Sequence, residues 1–252
     1  MSIRVEPFTV GDFVHAYNRG NRKQPIFFDK SDYWRFLWLL RFFNDESDIT
    51  KFARGLSELV DFQKKVLRDL EPRDYRDGRN TFEWREEWGE HQPLVEIASY
   101  CLMPNHFHLL LREIIPGGIS KFMRKLGVGY TMYYNAKNKE IGRVFQGQYK
   151  AKTINDEKYL QYLDPYIQAL NPFELFEGGI AAATNDFDKA FQFALDYPFS
   201  SLGEVYGARN LHIVSRDCFE DAFPSPQAYK EFCRDALIVR SAREFLGKLA
   251  ME

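Results

Sequence analysis

The sequence is poor in cysteine and has no long hydrophobic run. Its three cysteines, Cys101, Cys218 and Cys233, are scattered among 252 residues without C-x-x-C spacing. That spacing argues against a zinc ribbon or a disulfide framework and favours a reducing compartment. No apolar stretch approaches the roughly 20 residues that a membrane helix needs. Residues 1–13 lack the charged-then-apolar layout of a signal peptide, so we expect a cytoplasmic protein.

An overall excess of positive charge is also missing. The 34 lysines and arginines face 36 acidic residues, and the formal net charge is −2, whereas a nucleic-acid-binding protein usually carries a basic footprint. The charge is unevenly spread, however. Acidic residues are dense over 45–96, and basic residues lead over 121–158. A local basic surface is therefore compatible with the sequence despite the global balance.

The order of predicted elements defines the expected fold. Alternating apolar residues indicate strands, and apolar stripes at helical spacing indicate helices. Pro104 and Asn105 provide a turn between two strands, and Pro165 predicts a kink or break inside the last helix. The predicted elements are a strand at 12–20, a helix within 24–44, a hairpin of strands at 94–102 and 106–113, a helix at 117–138, a strand at 144–154 and a helix at 155–172. This βαββαβ order predicts an α+β, ferredoxin-like antiparallel sheet. Two helices would cover one face and leave the other face free for a site.

The rest of the chain lies outside this pattern. We expect a catalytic domain over 1–175, interrupted at 45–92 by an acidic, helical insertion. Pro72 would end the helix of that insertion, which starts near Ile49. A mostly helical subdomain would follow over 176–252. The acidic insertion would repel DNA, so we place it away from any DNA-binding face or interpret it as an arm that contacts another protein.

Two of the five histidines lie one residue apart in the second strand of the hairpin. Side chains alternate along a strand, so His106 and His108 project from the same face about 7 Å apart. Two neighbouring imidazoles can hold one divalent metal ion. An H-x-H pair is also compatible with two polar side chains on a solvated face, because two ligands do not make a metal site.

Four segments together resemble a known family. They read YCLMPNHFHLLL, AYNRGNRKQPIFFDKSDYWRFLWLL, GRVFQGQYKAKTINDEKYLQYLDPYIQALNP and DYPFSSLGEVYG. They resemble the single-tyrosine HUH transposases, and within these the REP-associated tyrosine transposases, over roughly 13–43 and 94–207. The resemblance implies a protein associated with the nucleoid that acts on single-stranded or hairpin DNA. It also favours a monomer over a homodimer.

The resemblance further implies a site. Tyr166 would attack a DNA phosphodiester and form a 5′-phosphotyrosine, and Mg²⁺ or Mn²⁺ would be held by His106, His108 and Asn171. The family spaces its tyrosine and asparagine four residues apart, whereas Asn171 follows Tyr166 by five. On a regular helix the extra residue rotates Asn171 by about 100°. A π-bulge could absorb it, the helix could end early, Gln168 could replace Asn171, or the site could be weakened. Tyr162, one turn earlier, is the reserve nucleophile.

The DNA contacts are expected near two strands. On the strand predicted at 144–154, alternation puts two glutamines and two lysines on one face, where amides read base edges and lysines neutralise phosphates. Asn18 and Arg19, near the end of the first predicted strand, either contact DNA or form the turn that follows. The candidate DNA-binding residues are Asn18, Arg19, Arg143, Gln146, Gln148, Lys150 and Lys152.

Two other functions stay open. The chain could be a structured-nucleic-acid-binding module on the same fold that cleaves weakly or not at all. This alternative is favoured by the five-residue gap, Pro165 and the acidic balance. A metal-dependent hydrolase of small substrates is weaker, because His15, His91 and His212 show no supporting sequence context.

Overall fold

Four antiparallel strands form one sheet in the order β2-β3-β1-β4. The computed structural model describes residues 8–47, 84, 90–207, 209–215 and 223–249. Helix α1 connects β1 to β2, a tight turn joins β2 to β3, and helix α2 leads to β4. The elements are β1 (Phe13–Arg19), α1 (Lys30–Phe42), β2 (Val95–Met103), β3 (His106–Glu113), α2 (Gly118–Asn138) and β4 (Lys150–Ile154). This connectivity and strand order confirm the predicted ferredoxin-like α+β fold.

One face of the sheet packs against α1 and α2. Val14 and Ala16 of β1 are fully buried in a core that includes Phe36 of α1 and Phe122 of α2. Asp29 caps α1, since its carboxylate accepts the Ser31 N–H at 2.8 Å. This cap satisfies an amide that the helix cannot bond internally. The apolar stripes that predicted both helices therefore face the sheet.

The other face is partly covered, which corrects the expectation that it would be free. A second apolar cluster joins Cys101 of β2 and Leu110 of β3 to Leu163 and Ile167. Leu163 and Ile167 are four residues apart, so they lie on one side of the helical segment that follows β4. Burying this stripe places the segment over β2 and β3 and leaves the β1 and β4 side of the face more open.

The helical segment changes its hydrogen-bond pattern partway. Its α-helical start is capped by Asp156, which accepts the Tyr159 N–H at 2.7 Å. The predicted kink or break at Pro165 is instead a change of helix type. The parts are α3 (Glu157–Pro165), a π-helix (Tyr166–Leu170) and the short turn α4 (Asn171–Phe173). Proline has no N–H to donate, so the regular pattern is already interrupted where the π-helix begins.

Strand β4 is shorter than predicted and begins at Lys150 rather than at residue 144. The last β1–β4 pair joins Tyr17 to Lys150. Just before it, the carbonyl of Gly147 accepts a hydrogen bond from the Asn18 side-chain amide at 3.0 Å. Gln146 and Gln148 are exposed in this irregular stretch. They therefore do not share a strand face with the lysines, as the longer strand would have required.

The C-terminal helices form a third apolar cluster with the end of the π-helix. Leu170 packs there with Phe173, Phe191 and Leu237. The helices are α5 (Gly179–Asn185), α6 (Phe187–Asp196), α7 (Leu202–Val205) and α8 (Pro226–Leu249). These helices agree with the mostly helical subdomain expected over 176–252. This cluster includes residues on both sides of residue 175. The domain boundary proposed at residue 175 stays a prediction.

The segment before α7 closes the outer edge of the sheet. The Leu102 N–H donates to the Phe199 carbonyl at 2.9 Å, and the Ser201 N–H donates to the Tyr100 carbonyl at 3.0 Å. These bonds satisfy groups that an open edge strand would expose. In the described part of the chain, none of the helices combines the length and the apolarity needed to cross a membrane.

The two ends of the predicted insertion are held together. The Asn44 side-chain amide donates to the Val95 carbonyl at 2.8 Å, and Asp45 accepts the Gln92 N–H at 2.7 Å. The helix expected between Ile49 and Pro72 lies outside the described residues. The closed base shows how a segment can be inserted between α1 and β2 without disturbing the sheet.

Candidate active site

Three histidines lie together on the partly open face of the sheet. Cross-strand pairing sets His106 opposite Arg19 and His108 opposite Tyr17, so these side chains share a face. His15 is next on that face, and its Nε2 lies 2.8 Å from Nδ1 of His108. In the sequence, His15 has no supporting context. Its alternation with Tyr17 was visible in the sequence, but only the β1–β3 register shows that it meets His108.

The side chain of Asn105 orients His106. The Asn105 amide nitrogen donates to the Lys23 carbonyl at 3.1 Å, which directs its Oδ1 towards His106. That oxygen lies 2.7 Å from His106 Nδ1. An amide oxygen only accepts, so Nδ1 must carry the proton, and Nε2 of His106 keeps its lone pair.

All three imidazoles are neutral near pH 7. Burial and, as a smaller cause, the positive charge of Lys152 together lower the pKa of His15 to about 4. Burial is also the main cause that lowers the pKa of His106 and of His108; the neighbouring His15 contributes for His108. A metal ligand must be a neutral imidazole, so burial prepares the pair for that role.

The π-helix places Tyr166 beside the histidines. The ring centroids of Tyr166 and His108 are 5.8 Å apart in an edge-to-face arrangement. The ring of Tyr162, the reserve candidate, stacks on the ring of Tyr166 with centroids 6.4 Å apart. The structure thus brings Tyr166 to the histidine pair through a ring contact with His108.

An arginine of the C-terminal helix α8 reaches the same tyrosine. The guanidinium carbon of Arg240 lies 5.6 Å from the Tyr166 ring centroid. Arg240 is held there by the Leu170 carbonyl, at 3.1 Å, and by the Glu174 carboxylate. Burial raises the pKa of the Tyr166 phenol, and the positive charge of Arg240 opposes this rise. Sequence reasoning missed Arg240 because it lies 74 residues after Tyr166 without a motif.

Asn171 is buried without satisfying its side chain. It is 1% exposed, and neither Oδ1 nor Nδ2 has a hydrogen-bond partner among the described residues. Buried amides are normally paired, and an unpaired one costs about 1–3 kcal/mol. Gln168, the alternative ligand, is occupied: its amide donates to Asp164 at 2.7 Å, and its oxygen lies 3.5 Å from the Tyr229 hydroxyl. Of the two candidate ligands, Asn171 is therefore the one whose side chain is unpaired.

The donor set suits a divalent metal ion of the kind that the family resemblance implies. It would comprise two neutral imidazoles and one unpaired amide oxygen, from His106, His108 and Asn171. Within the described ranges, no group of three or more His, Cys, Asp or Glu residues is arranged to hold a metal ion. Asn171, the third ligand that the resemblance implies, is of another residue type, and its side chain is buried and unpaired.

Basic side chains border the histidines on the same face. Lys152 lies opposite His15, and Lys150 lies opposite Tyr17, while Arg19 lies opposite His106. The other proposed DNA contacts differ in position. Asn18 points to the opposite face, is almost buried, and holds the stretch before β4 through Gly147. Exposed positions in that stretch are occupied by Arg143, Gln146 and Gln148.

Paired histidines on the ferredoxin-like sheet are faced by a tyrosine on a helix, which is the arrangement that the sequence resemblance implies. Residues 86–169 match the family described as "Transposase IS200 like". The match spans about a third of the chain, including His106, His108 and Tyr166, and ends before Asn171. It confirms the resemblance inferred from the sequence motifs for this segment.

A solved structure gives a second similarity. It is a REP-associated tyrosine transposase bound to a REP hairpin, with 14% identity and a TM-score of 0.42. The alignment covers 90% of this chain and 96% of that chain. A comparison with the curated proteins found no match.

Proposed function

We propose that this protein is a metal-dependent, single-stranded DNA endonuclease and strand transferase that acts through a 5′-phosphotyrosine intermediate. The observation that carries the proposal is the ring contact between Tyr166 and His108, 5.8 Å between centroids. It places a phenol next to a pair of neutral imidazoles on one face of the sheet. The match of residues 86–169 to the IS200-like transposases supports the same chemistry.

The proposed reaction exchanges one phosphodiester for another. The Tyr166 oxygen forms a bond to the phosphorus, and the bond from the phosphorus to the 3′ oxygen breaks. The phenol loses a proton, and the departing 3′ oxygen gains one, so no oxidant or reductant is needed. A divalent ion bound by His106, His108 and Asn171 would supply charge stabilisation at the phosphate. Attack by a free 3′-OH on the phosphotyrosine would reverse the exchange and transfer the strand.

The chain's own residues account for the orientation of the nucleophile. Burial of Leu163 and Ile167 anchors the helix on the sheet, while Arg240 holds the end of the π-helix through Leu170. Arg240 also favours the ionised phenol, because its positive charge lowers the Tyr166 pKa. An activated nucleophile generally needs such a neighbour.

The substrate we propose is single-stranded or hairpin DNA. The resemblance to REP-associated transposases suggests the hairpin, and the lysines beside the histidines support a phosphate backbone on this face. Lys150 and Lys152 are exposed, and their partners in β1 are Tyr17 and His15. A strand crossing from the lysines to Tyr166 would pass over the histidines.

A monomer is the proposed active unit. In dimeric relatives the tyrosine helix lies against the partner's histidines, whereas here Tyr166 contacts His108 of the same chain. Association with the nucleoid is proposed on the same basis as the DNA substrate. Size-exclusion chromatography with light scattering, with and without hairpin DNA, tests the oligomeric state.

The decisive experiment is adduct formation with a panel of single-stranded hairpins in Mn²⁺. Wild-type protein should form a covalent protein–DNA species on a denaturing gel. Tyr166→Phe should form none while still binding the hairpin, because it removes only the hydroxyl. Tyr162→Phe is the matched control on the same helix and should retain the adduct. An adduct formed by Tyr166→Phe at the wild-type rate would refute the assignment.

The alternative, a binding module that does not cleave, is favoured by one observation. Tyr166 is half-buried, and burial raises its pKa, so the phenol is a poor nucleophile unless Arg240 or a bound metal ion compensates. Wild-type protein that binds hairpins tightly but yields no adduct with either Mg²⁺ or Mn²⁺ would establish this alternative.

A further inference from the structure

We propose that His15 is a positioning residue for His108: it accepts a hydrogen bond from Nδ1–H of His108 and so directs the Nε2 lone pair of His108 into the site. The inference rests on the proposed function, since it assigns His15 a role in the proposed metal site. It concerns a residue of β1, which lies outside the segment that matches the transposase family.

The contact between the two imidazoles is specific. His15 Nε2 and His108 Nδ1 are 2.8 Å apart, and the rings stack with centroids 5.1 Å apart. Both side chains are 8% exposed, so bulk water does not readily replace the bond. At this distance one nitrogen must carry a hydrogen and the other a lone pair.

Only one of the two arrangements leaves His108 able to bind a metal ion. If His15 donates, the remaining nitrogen of neutral His108 carries the proton and cannot coordinate. If His15 accepts, His108 is protonated on Nδ1, and its Nε2 is free. Lys152 lies opposite His15 in β4, and its ammonium group can only donate hydrogen bonds. It therefore cannot compete with His15 as the acceptor for His108.

The same arrangement is already evident at the neighbouring histidine. Asn105 accepts from Nδ1–H of His106 at 2.7 Å, and its orientation is set by the Lys23 carbonyl. Asn105 and His15 would therefore act alike, each fixing one imidazole with Nε2 available. Metal-binding histidines usually donate their second N–H to such an acceptor, and losing it typically costs 10–100-fold in metal affinity.

The tautomer can be measured without any metal. Two-bond ¹H–¹⁵N correlation spectra of uniformly labelled wild-type protein in EDTA distinguish the protonated nitrogen of each imidazole. We expect His108 to be protonated on Nδ1 and His15 to have an unprotonated Nε2. A His108 protonated on Nε2 would overturn the proposal whatever the metal measurements show.

The second experiment measures the affinity for Mn²⁺ by titration, followed by calorimetry and electron paramagnetic resonance. His15→Phe keeps an aromatic ring but removes the acceptor, and should weaken Mn²⁺ binding by about 10–100-fold. His15→Gln can accept through its amide oxygen and should stay within roughly threefold of wild type. His212→Phe removes an exposed imidazole that contacts Asn210 and is the control for general loss of histidine.

The outcomes separate the two proposals. Wild-type protein that binds no Mn²⁺ would refute the metal site of the proposed function and, with it, the role of His15. Wild-type and His15→Phe proteins with equal Mn²⁺ affinity would refute only the role of His15. If His15→Phe fails to fold, the tautomer of wild-type His108 and the affinity of His15→Gln still decide the question.

Discussion

The backbone N–H of Asn171 donates to the carbonyl oxygen of Tyr166, five residues earlier. This bond defines a π-turn, in which one additional residue is accommodated between the two positions. The five-residue gap therefore does not by itself displace Asn171, as it would on a regular α-helix. Of the alternatives that the sequence left open, the structure shows the π-bulge, a feature that is common at functional sites.

The unpaired side chain of Asn171 predicts opposite effects on stability and metal binding. Asn171→Leu removes two buried, unpaired polar atoms and should raise the free energy of unfolding by about 1–3 kcal/mol. The same change should abolish high-affinity Mn²⁺ binding. Urea denaturation in EDTA measures the first effect, and calorimetry measures the second. A variant that is both less stable and still binds Mn²⁺ normally would contradict the assignment.

The contact between Arg240 and Tyr166 predicts a shift in the pH dependence of adduct formation. The positive charge of Arg240 lowers the phenol pKa, so Arg240→Met should raise it and move the rising limb of the pH–rate profile to higher pH. A shift of one pH unit corresponds to about tenfold slower adduct formation at neutral pH. Single-turnover rates measured across pH test this expectation.

A matched control for Arg240 is available on the same helix. Arg234 lies near Asp188 and above the Phe187 ring, away from Tyr166. Arg234→Met should leave the pH–rate profile unchanged, and Arg240→Lys should restore part of the wild-type rate because it keeps the charge. An unshifted profile for Arg240→Met would show that Arg240 only holds the helix end.

The lysines of β4 predict the salt dependence of DNA binding. The double variant Lys150→Gln/Lys152→Gln should bind hairpin DNA more weakly and flatten the plot of log affinity against log salt. Losing two single-strand phosphate contacts makes this negative slope shallower by about 1.4. Fluorescence anisotropy at several salt concentrations provides the slope. Lys189→Gln, an exposed lysine of α6 that pairs with Asp186, is the control and should not change it.

A buried carboxyl group near the tyrosine predicts a pH-dependent stability. Burial raises the pKa of Asp164 to about 7 from 3.8. The native state therefore holds this proton while the unfolded state loses it, so wild-type stability falls as pH rises from about 4 to about 7. Asp164→Asn stays neutral and can still accept from Gln168. Its stability relative to wild type should increase across this range, by at most about 4 kcal/mol.

Denaturant unfolding of both proteins at several pH values between 4 and 8 measures this difference. The comparison at pH 4 is the internal reference, because this pH lies near the ordinary Asp164 pKa of 3.8 and the difference between the two proteins is smallest there. A difference that does not vary with pH would show that Asp164 is ionised in the folded protein.

Local periodicity was sufficient to predict the sheet and the histidine pair. Alternation along one strand places His106 and His108 on one face whatever surrounds them, because successive side chains point to opposite sides. The order of strands and helices predicted the ferredoxin-like topology. The start of β4 was predicted wrongly: the strand begins at Lys150, and in the irregular stretch before it the Gly147 carbonyl accepts a side-chain bond from Asn18.

The sequence by itself determined which residue types lie on each strand face and which helix carries Tyr166, because these follow from repeats of two and of 3.6 residues. Only the tertiary structure decided that His15 meets His108, since that depends on the register between strands 93 residues apart. It also decided the π-turn before Asn171. Packing of Leu163 and Ile167 on the sheet, and of Leu170 on the C-terminal helices, fixes both sides of that turn.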